Sequence, residues 1–112
     1  MGGRGGDSAG LPASTVQFEW DPGKSAANKL KHGIDFDQAR ALWQDPNRVV
    51  TASGYMGPES RHLTIGHLDG KMYTAVFTMR GDIIRIISVR RARTQEEANY
   101  GRTAVRDQHG RV

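Results

Sequence analysis

The residues able to do chemistry in this 112-residue chain are mostly arginines, and they are unevenly placed. Residues 80–112 hold eight arginines against four carboxylates, while residues 1–79 carry equal numbers of basic and acidic side chains. The formal charge of +4 therefore lies wholly in the last third. The planar fork of arginine matches phosphate and carboxylate geometry, so such a basic end points to an anionic partner, either nucleic acid or an acidic protein. A solvated, soluble surface is the plain alternative. Arg61, Arg85, Arg90, Arg91 and Arg93 fall in or beside segments that read as strands. The acids nearest to them in sequence, Glu59, Asp82, Glu96 and Glu97, lie outside the strand interiors, which makes ion pairing alone a strained account of all five.

An arginine-rich site suits one reaction in particular. RNA carries its own nucleophile, the 2′-hydroxyl. Cleavage needs that oxygen deprotonated, the phosphorane charge stabilised and the leaving 5′-oxygen protonated. Arginine performs the second task, and a His, Lys, Tyr or Glu can perform the others without a cofactor. His32 is a candidate, since histidine titrates near neutral pH. A histidine in the last turn of a helix is equally well explained by the helix dipole. His62 and His67 read as surface residues or turn neighbours. Metal chemistry is disfavoured: there is no cysteine, no HExxH and no carboxylate cluster. No Gly-rich phosphate loop follows a strand, and no serine sits in a GxSxG elbow.

The elements that must position these residues are legible in outline. Val16–Trp20 alternates apolar and polar residues as a short strand. Asp21-Pro22 opens a helix that runs to His32, with Gly33 at its end. Asp35, with Gln38 three residues on, opens a second helix whose Phe36, Ala39, Leu42 and Trp43 form a core face and which ends before Asp45-Pro46. Strands follow at 48–53, 61–68, 71–79 and 82–91, and Thr94-Gln95-Glu96-Glu97 opens a last helix as a capping box. Consecutive strands joined by tight turns make an antiparallel sheet, so the class is α+β. The Gly-rich residues 1–14 read as a disordered leader, 15–101 as the one domain and 102–112 as a flexible tail. No stretch approaches a membrane span and no signal peptide is evident, so the chain suits a reducing, cytoplasmic compartment.

With two-residue turns at Asp69-Gly70 and Arg80-Gly81, Arg61 faces Thr78 and Val76 faces Arg85. Arg61 and Arg85 then share a face on strands flanking the central one, with Val89 and Arg91, and Arg90 falls on the other face with Ile84, Ile86 and Ser88. A bulge near Ser88 would overturn the placing of Arg90.

Three blocks carry a family resemblance: Phe18-x-Trp20-Asp21-x-x-Lys24-x-x-x-Asn28-x-x-Lys31-His32-Gly33-Ile34-x-Phe36-x-x-Ala39, Glu59-x-Arg61-x-x-x-Ile65-Gly66, and Arg85-Ile86-Ile87-Ser88-x-Arg90-x-Ala92. Together they resemble the BrnT toxins of bacterial toxin–antitoxin systems over residues 16–100. The resemblance implies a RelE-like fold, with two N-terminal helices packed on a curved antiparallel sheet and a C-terminal helix. It implies a ribonuclease that halts translation and needs no cofactor. Its substrate is RNA, free or on the ribosome. It also implies a cognate BrnA-like antitoxin of the ribbon-helix-helix type, through which alone operator DNA is bound. The catalytic set becomes Arg61, Arg85, Arg90 and His32, and the RNA-binding set Lys24, Lys31, Arg91, Arg93 and Tyr100. The motif groups Arg90 with Arg61, against the alternation above. A non-catalytic basic module that docks an acidic antitoxin or nucleic acid remains the alternative.

Overall fold

The computed structural model describes residues 16–100. The leader at 1–14 and the tail at 102–112 lie outside the described residues. Strand β1 is Phe18–Glu19 and helix α1 is Pro22–His32. Helix α2 is Phe36–Ala39 and runs on as a 3-10 helix over Arg40–Gln44. Strands β2 (Val49–Ala52), β3 (His62–Leu68), β4 (Lys71–Arg80) and β5 (Ile83–Arg91) follow, and residues 94–100 form helix α3. The architecture is α+β, with a five-stranded sheet in the order β1-β5-β4-β3-β2. The expected antiparallel sheet is in fact mixed, because β1 pairs parallel to β5. The first strand crosses to the far edge before α1 begins, a pairing that no local turn dictates.

The helix signals act as read. Asp21 caps α1 through the Gly23 and Lys24 amides, and Gly33 closes it at φ 79°. Asp35 and Gln38 form a reciprocal capping box on α2. The second helix is not α throughout, since it tightens after one turn to reach Asp45. Its stripe is still core. Phe36, Ala39, Leu42 and Trp43, with Ile34, pack against Tyr73, Ala75, Phe77, Ile84, Ile86 and Val89 from one face of the sheet. Trp43 stands edge-on to Phe18 and Phe77, with centroids 5.2 and 5.4 Å away.

Helix α1 attaches differently. Its buried residues are Ser25 and Asn28, both polar. Ser25 Oγ accepts the Phe36 amide at 2.9 Å. The Asn28 amide donates to the carbonyls of Ile34 and Val89, and its oxygen accepts the Val89 N–H. Asn28 thereby satisfies the outer edge of β5 where the two-residue β1 does not reach, as a neighbouring strand would.

The register of β3 with β4 is as expected around an Asp69-Gly70 turn, both of whose residues have positive φ. The β4–β5 turn is Gly81-Asp82, not Arg80-Gly81: Arg80 pairs with Ile83. Gly81, at φ 62°, takes the first turn position, where a II′ turn favours glycine. The register moves by two residues, so faces near the turn are kept and Thr78 now pairs with Arg85. Further along, Phe77 pairs with Ile86 but Val76 with Ser88, leaving Ile87 as a bulge. Every residue after Ile87 changes face. Val89 turns into the core and is fully buried, Arg91 joins the helix-covered face, and Arg90 moves to the face of Arg61 and Arg85.

Asn28→Ala removes three buried hydrogen bonds and leaves β5 edge groups unpaired. It should lower stability by roughly 2–4 kcal/mol in urea denaturation. A loss below about 1 kcal/mol would mean that water replaces the amide at this edge.

Candidate active site

The sheet face away from the core has an open end and a covered end. At the open end one row crosses four strands: Glu19 on β1, Arg85 on β5, Thr78 on β4, and Arg61, one step before β3. The ladder holds at Arg61, whose carbonyl accepts the Ser53 amide at 3.1 Å. Adjacent strands lie about 4.8 Å apart, so the Arg61 and Arg85 backbones are about 10 Å apart, in line. Arg85 Nη1 donates to Glu19 Oε2 at 3.0 Å, and both side chains are about one-third exposed. Thr78 is buried, and its hydroxyl donates to the Ser60 carbonyl at 2.6 Å. Arg61 has no carboxylate partner among the described residues. Its guanidinium carbon lies 3.9 Å above the Tyr55 ring, and its Nε is buried without an acceptor.

The covered end begins at the row of Arg90, Thr74 and Ile65. Four residues along β4 separate it from Thr78, about 13 Å. Here α3 lies over the sheet. Arg90 Nη1 and Nη2 each donate to Glu96 at 2.8 Å in a two-pronged pair, and Glu96 is 12% exposed. Glu96 also accepts the Thr74 hydroxyl and the Arg93 amide, each at 2.8 Å. The Arg90 hydrogen bonds, helped by Arg93 and Thr74 and opposed by burial, bring the Glu96 carboxyl down to about 2. The same hydrogen bonds raise Arg90. A turn further on, Tyr100 donates to Asp45 Oδ2 at 2.9 Å and stacks on His67, with centroids 5.3 Å apart. Burial first, then the Asp45 hydrogen bond, pushes the Tyr100 hydroxyl up. Burial alone would raise Asp45, but the His67 and Asn47 amides, the Tyr100 hydroxyl and the charge of His67 hold it below its ordinary value.

Of the expected site residues, the fold brings Arg61 and Arg85 together. It puts Arg90 on their face at the far end. Ion pairing is not the strained account it looked in sequence: Arg85 and Arg90 both have carboxylates, which long-range folding delivers. Arg93 is the residue before α3, and the cap is built from its own amide and Glu96, one residue earlier than a Thr94–Glu97 box. Arg91 lies on the helix side near Tyr73, donating to the Met72 carbonyl. Lys24 and Lys31 are exposed on α1. His32 ends α1 beside Gly33 and Ile34, which border a cleft with Leu68, Asp69 and Tyr73 on the helix-covered side, so the fold does not bring it to Arg61. Sequence reasoning missed Glu19, Tyr55, Thr78 and Glu96. For Glu19 the signal was present, since Phe18 turned to the core puts its neighbour on the opposite face. Among the described residues no group of three or more His, Asp or Glu side chains is placed to hold a metal.

The family model of BrnT, the ribonuclease toxin of type II toxin–antitoxin systems, matches residues 20–96. The chain belongs to this family. No curated relative matches it. BrnT membership makes the chain a toxin with ribonuclease activity and implies an antitoxin partner. The match takes in Arg61, Thr78 and Arg85 of the open row, with Arg90 and its carboxylate partner Glu96, and begins one residue after Glu19. Among the described residues no helix of this BrnT chain is long and apolar enough to cross a membrane.

A carboxyl whose folded pKa lies below its unfolded value stabilises the fold above the unfolded pKa. That contribution is lost as pH falls through the folded value. The gap from 4.5 to about 2 at Glu96 corresponds to on the order of 3 kcal/mol. Glu96→Gln should therefore be destabilised by about that amount at pH 7. The gap to the parent should close between about pH 5 and pH 2 in denaturant titrations, and a pH-independent gap would assign the effect to packing.

Proposed function

We propose that the open row is where this toxin cleaves RNA, without a metal ion, and so inhibits translation. One observation carries the reading: among the described residues Arg61 has no carboxylate beside it, and it stands in line with Arg85 across Thr78. A phosphodiester lying over Thr78 takes a guanidinium on either side. Arg85 gives one nitrogen to Glu19 and keeps its other donors for the phosphate. Glu19 is the carboxylate of the row and accepts the 2′-hydroxyl proton. The 2′-oxygen attacks phosphorus and the bond to the 5′-oxygen breaks. That oxygen takes a proton from water. The products are a 2′,3′-cyclic phosphate and a 5′-hydroxyl. Arg61 and Arg85 stabilise the extra charge of the phosphorane, the step that fixed cationic donors favour most.

In this reading Arg90 holds α3 in place, and Lys24, Lys31, Arg91 and Arg93 supply outer contacts to the RNA backbone. The position of His32 does not support a part for it in the step. Family likeness further supports a RelE-like toxin acting in the cytoplasm on free or ribosome-bound RNA. It supports a BrnA-like ribbon-helix-helix antitoxin that holds the toxin inactive and is its link to operator DNA.

Purified protein should cleave RNA in EDTA, leaving 2′,3′-cyclic phosphate ends. Arg61→Ala should lower the rate about 10²–10³-fold. Glu19→Gln should lower it about 10²-fold. Both variants should keep the circular dichroism of the parent. No cleavage with or without ribosomes, joined to no growth arrest on expression, would falsify the nuclease reading. It would leave a basic module whose binding weakens with salt.

A further inference from the structure

Three of the arginines on the outer face, Arg61, Arg85 and Arg90, are oriented in two ways. Arg85 and Arg90 are held by carboxylates, Glu19 through one nitrogen and Glu96 through two, which fix the guanidinium and offset its charge. Arg61 is held by a ring. Tyr55 lies beneath the guanidinium, with 3.9 Å between its centroid and the Arg61 carbon. Gly57 lies directly against the same ring: a Cβ there would overlap the Tyr55 Oη, Cζ and Cε2 atoms. The loop is pinned at both ends, by the Ser53 amide on the Arg61 carbonyl and by the Thr78 hydroxyl on the Ser60 carbonyl. The Tyr55 amide also donates to Ser53 Oγ at 3.0 Å. Tyr55 is 42% exposed and contributes nothing to the core.

We propose that Tyr55, packed against Gly57, is a positioning residue that aims the Arg61 guanidinium while leaving its charge uncancelled. A ring face attracts a cation through its quadrupole and carries no net charge, so the oriented arginine stays fully available to an anion. A carboxylate in the same place would compete with the phosphate. Gly57 is needed for its missing side chain, since its φ is not in the left-handed region and alanine there adds only bulk. The inference rests on the reading of Arg61 as the phosphate ligand of the open row.

Two measurements on Tyr55→Leu, Tyr55→Phe and Gly57→Ala test it. In NMR spectra of the intact protein the Arg61 Cδ protons should show an upfield ring-current shift. Tyr55→Phe should keep the shift, Tyr55→Leu abolish it and Gly57→Ala reduce it. In RNA cleavage, Tyr55→Leu and Gly57→Ala should lower kcat about tenfold with little change in KM, as expected for a misaimed cationic donor. Melting temperatures should move by no more than about 2 °C. Tyr55→Phe should restore cleavage, and Tyr55→Leu should cost nothing more in an Arg61→Ala background. A Tyr55→Leu protein that keeps the shift overturns the proposal, as does an equal loss of cleavage with and without Arg61. If the parent cleaves no RNA, the nuclease reading fails, and the ring-current shift alone still decides whether Tyr55 holds Arg61.

Discussion

Ile87 stands in β5 with no residue opposite it on β4, and the arrangement of both faces depends on that. Inserting one residue into a strand turns over all that follows. Val89 can therefore fill the core while Arg90, its neighbour, reaches the outer face. Without the bulge a cation would point into the helical layer, and a fully buried valine would be turned out toward solvent. Burying an unpaired charge costs several kcal/mol and exposing a valine about 2, so the bulged register is strongly preferred. The bulge also leaves Val89 backbone groups where Asn28 meets them, which ties α1 to the sheet.

The outer face is divided by how its arginines are held. At the covered end Glu96 gathers Arg90, Thr74 and the cap of α3, while Tyr100 reaches Asp45 and His67. These partly buried bonds suit a structural clamp, and they explain why Ile65 and Thr74 are fully buried on a face that the N-terminal helices do not touch. At the open end the polar groups lie closer to solvent. Arg85 shares its charge with Glu19, and Arg61 rests on an aromatic ring. An anion meets less competition there than at Arg90, where both carboxylate oxygens are already engaged.

Membership of the BrnT family fits this division. A ribonuclease toxin must offer cationic donors to a phosphodiester, while the fold that displays them must stay ordered with a core drawn mostly from six sheet residues and a short helical layer. Two arginines placed in ion pairs help the fold, one directly through α3 and one through β1. The third, Arg61, has no carboxylate partner among the described residues and rests on the Tyr55 ring.

Local chemistry determined much of this in the sequence alone. The caps at Asp21 and Asp35, the Phe36–Trp43 stripe and the Asp69-Gly70 hairpin are decided by residues within a few positions of one another, so they could be read directly. The pairing of Arg61 with Thr78's row followed from that hairpin by alternation, and the three motif blocks identified the family. Other features depend on partners far apart in the chain. Glu19 meets Arg85 across 66 residues through a parallel pairing, and Asn28 meets Val89 across 61. The bulge at Ile87 leaves no mark in the local pattern, because Ile-Ile-Ser-Val accepts either face, and only the motif that groups Arg90 with Arg61 pointed to a bulge near Ser88. Only packing against Leu42, Trp43 and their neighbours decides that Val89, and not Arg90, goes inward. The sequence thus determined which arginines could form a site. The tertiary structure decided which share a face, which are paired with a carboxylate, and that Arg61 alone of the three has no such partner among the described residues.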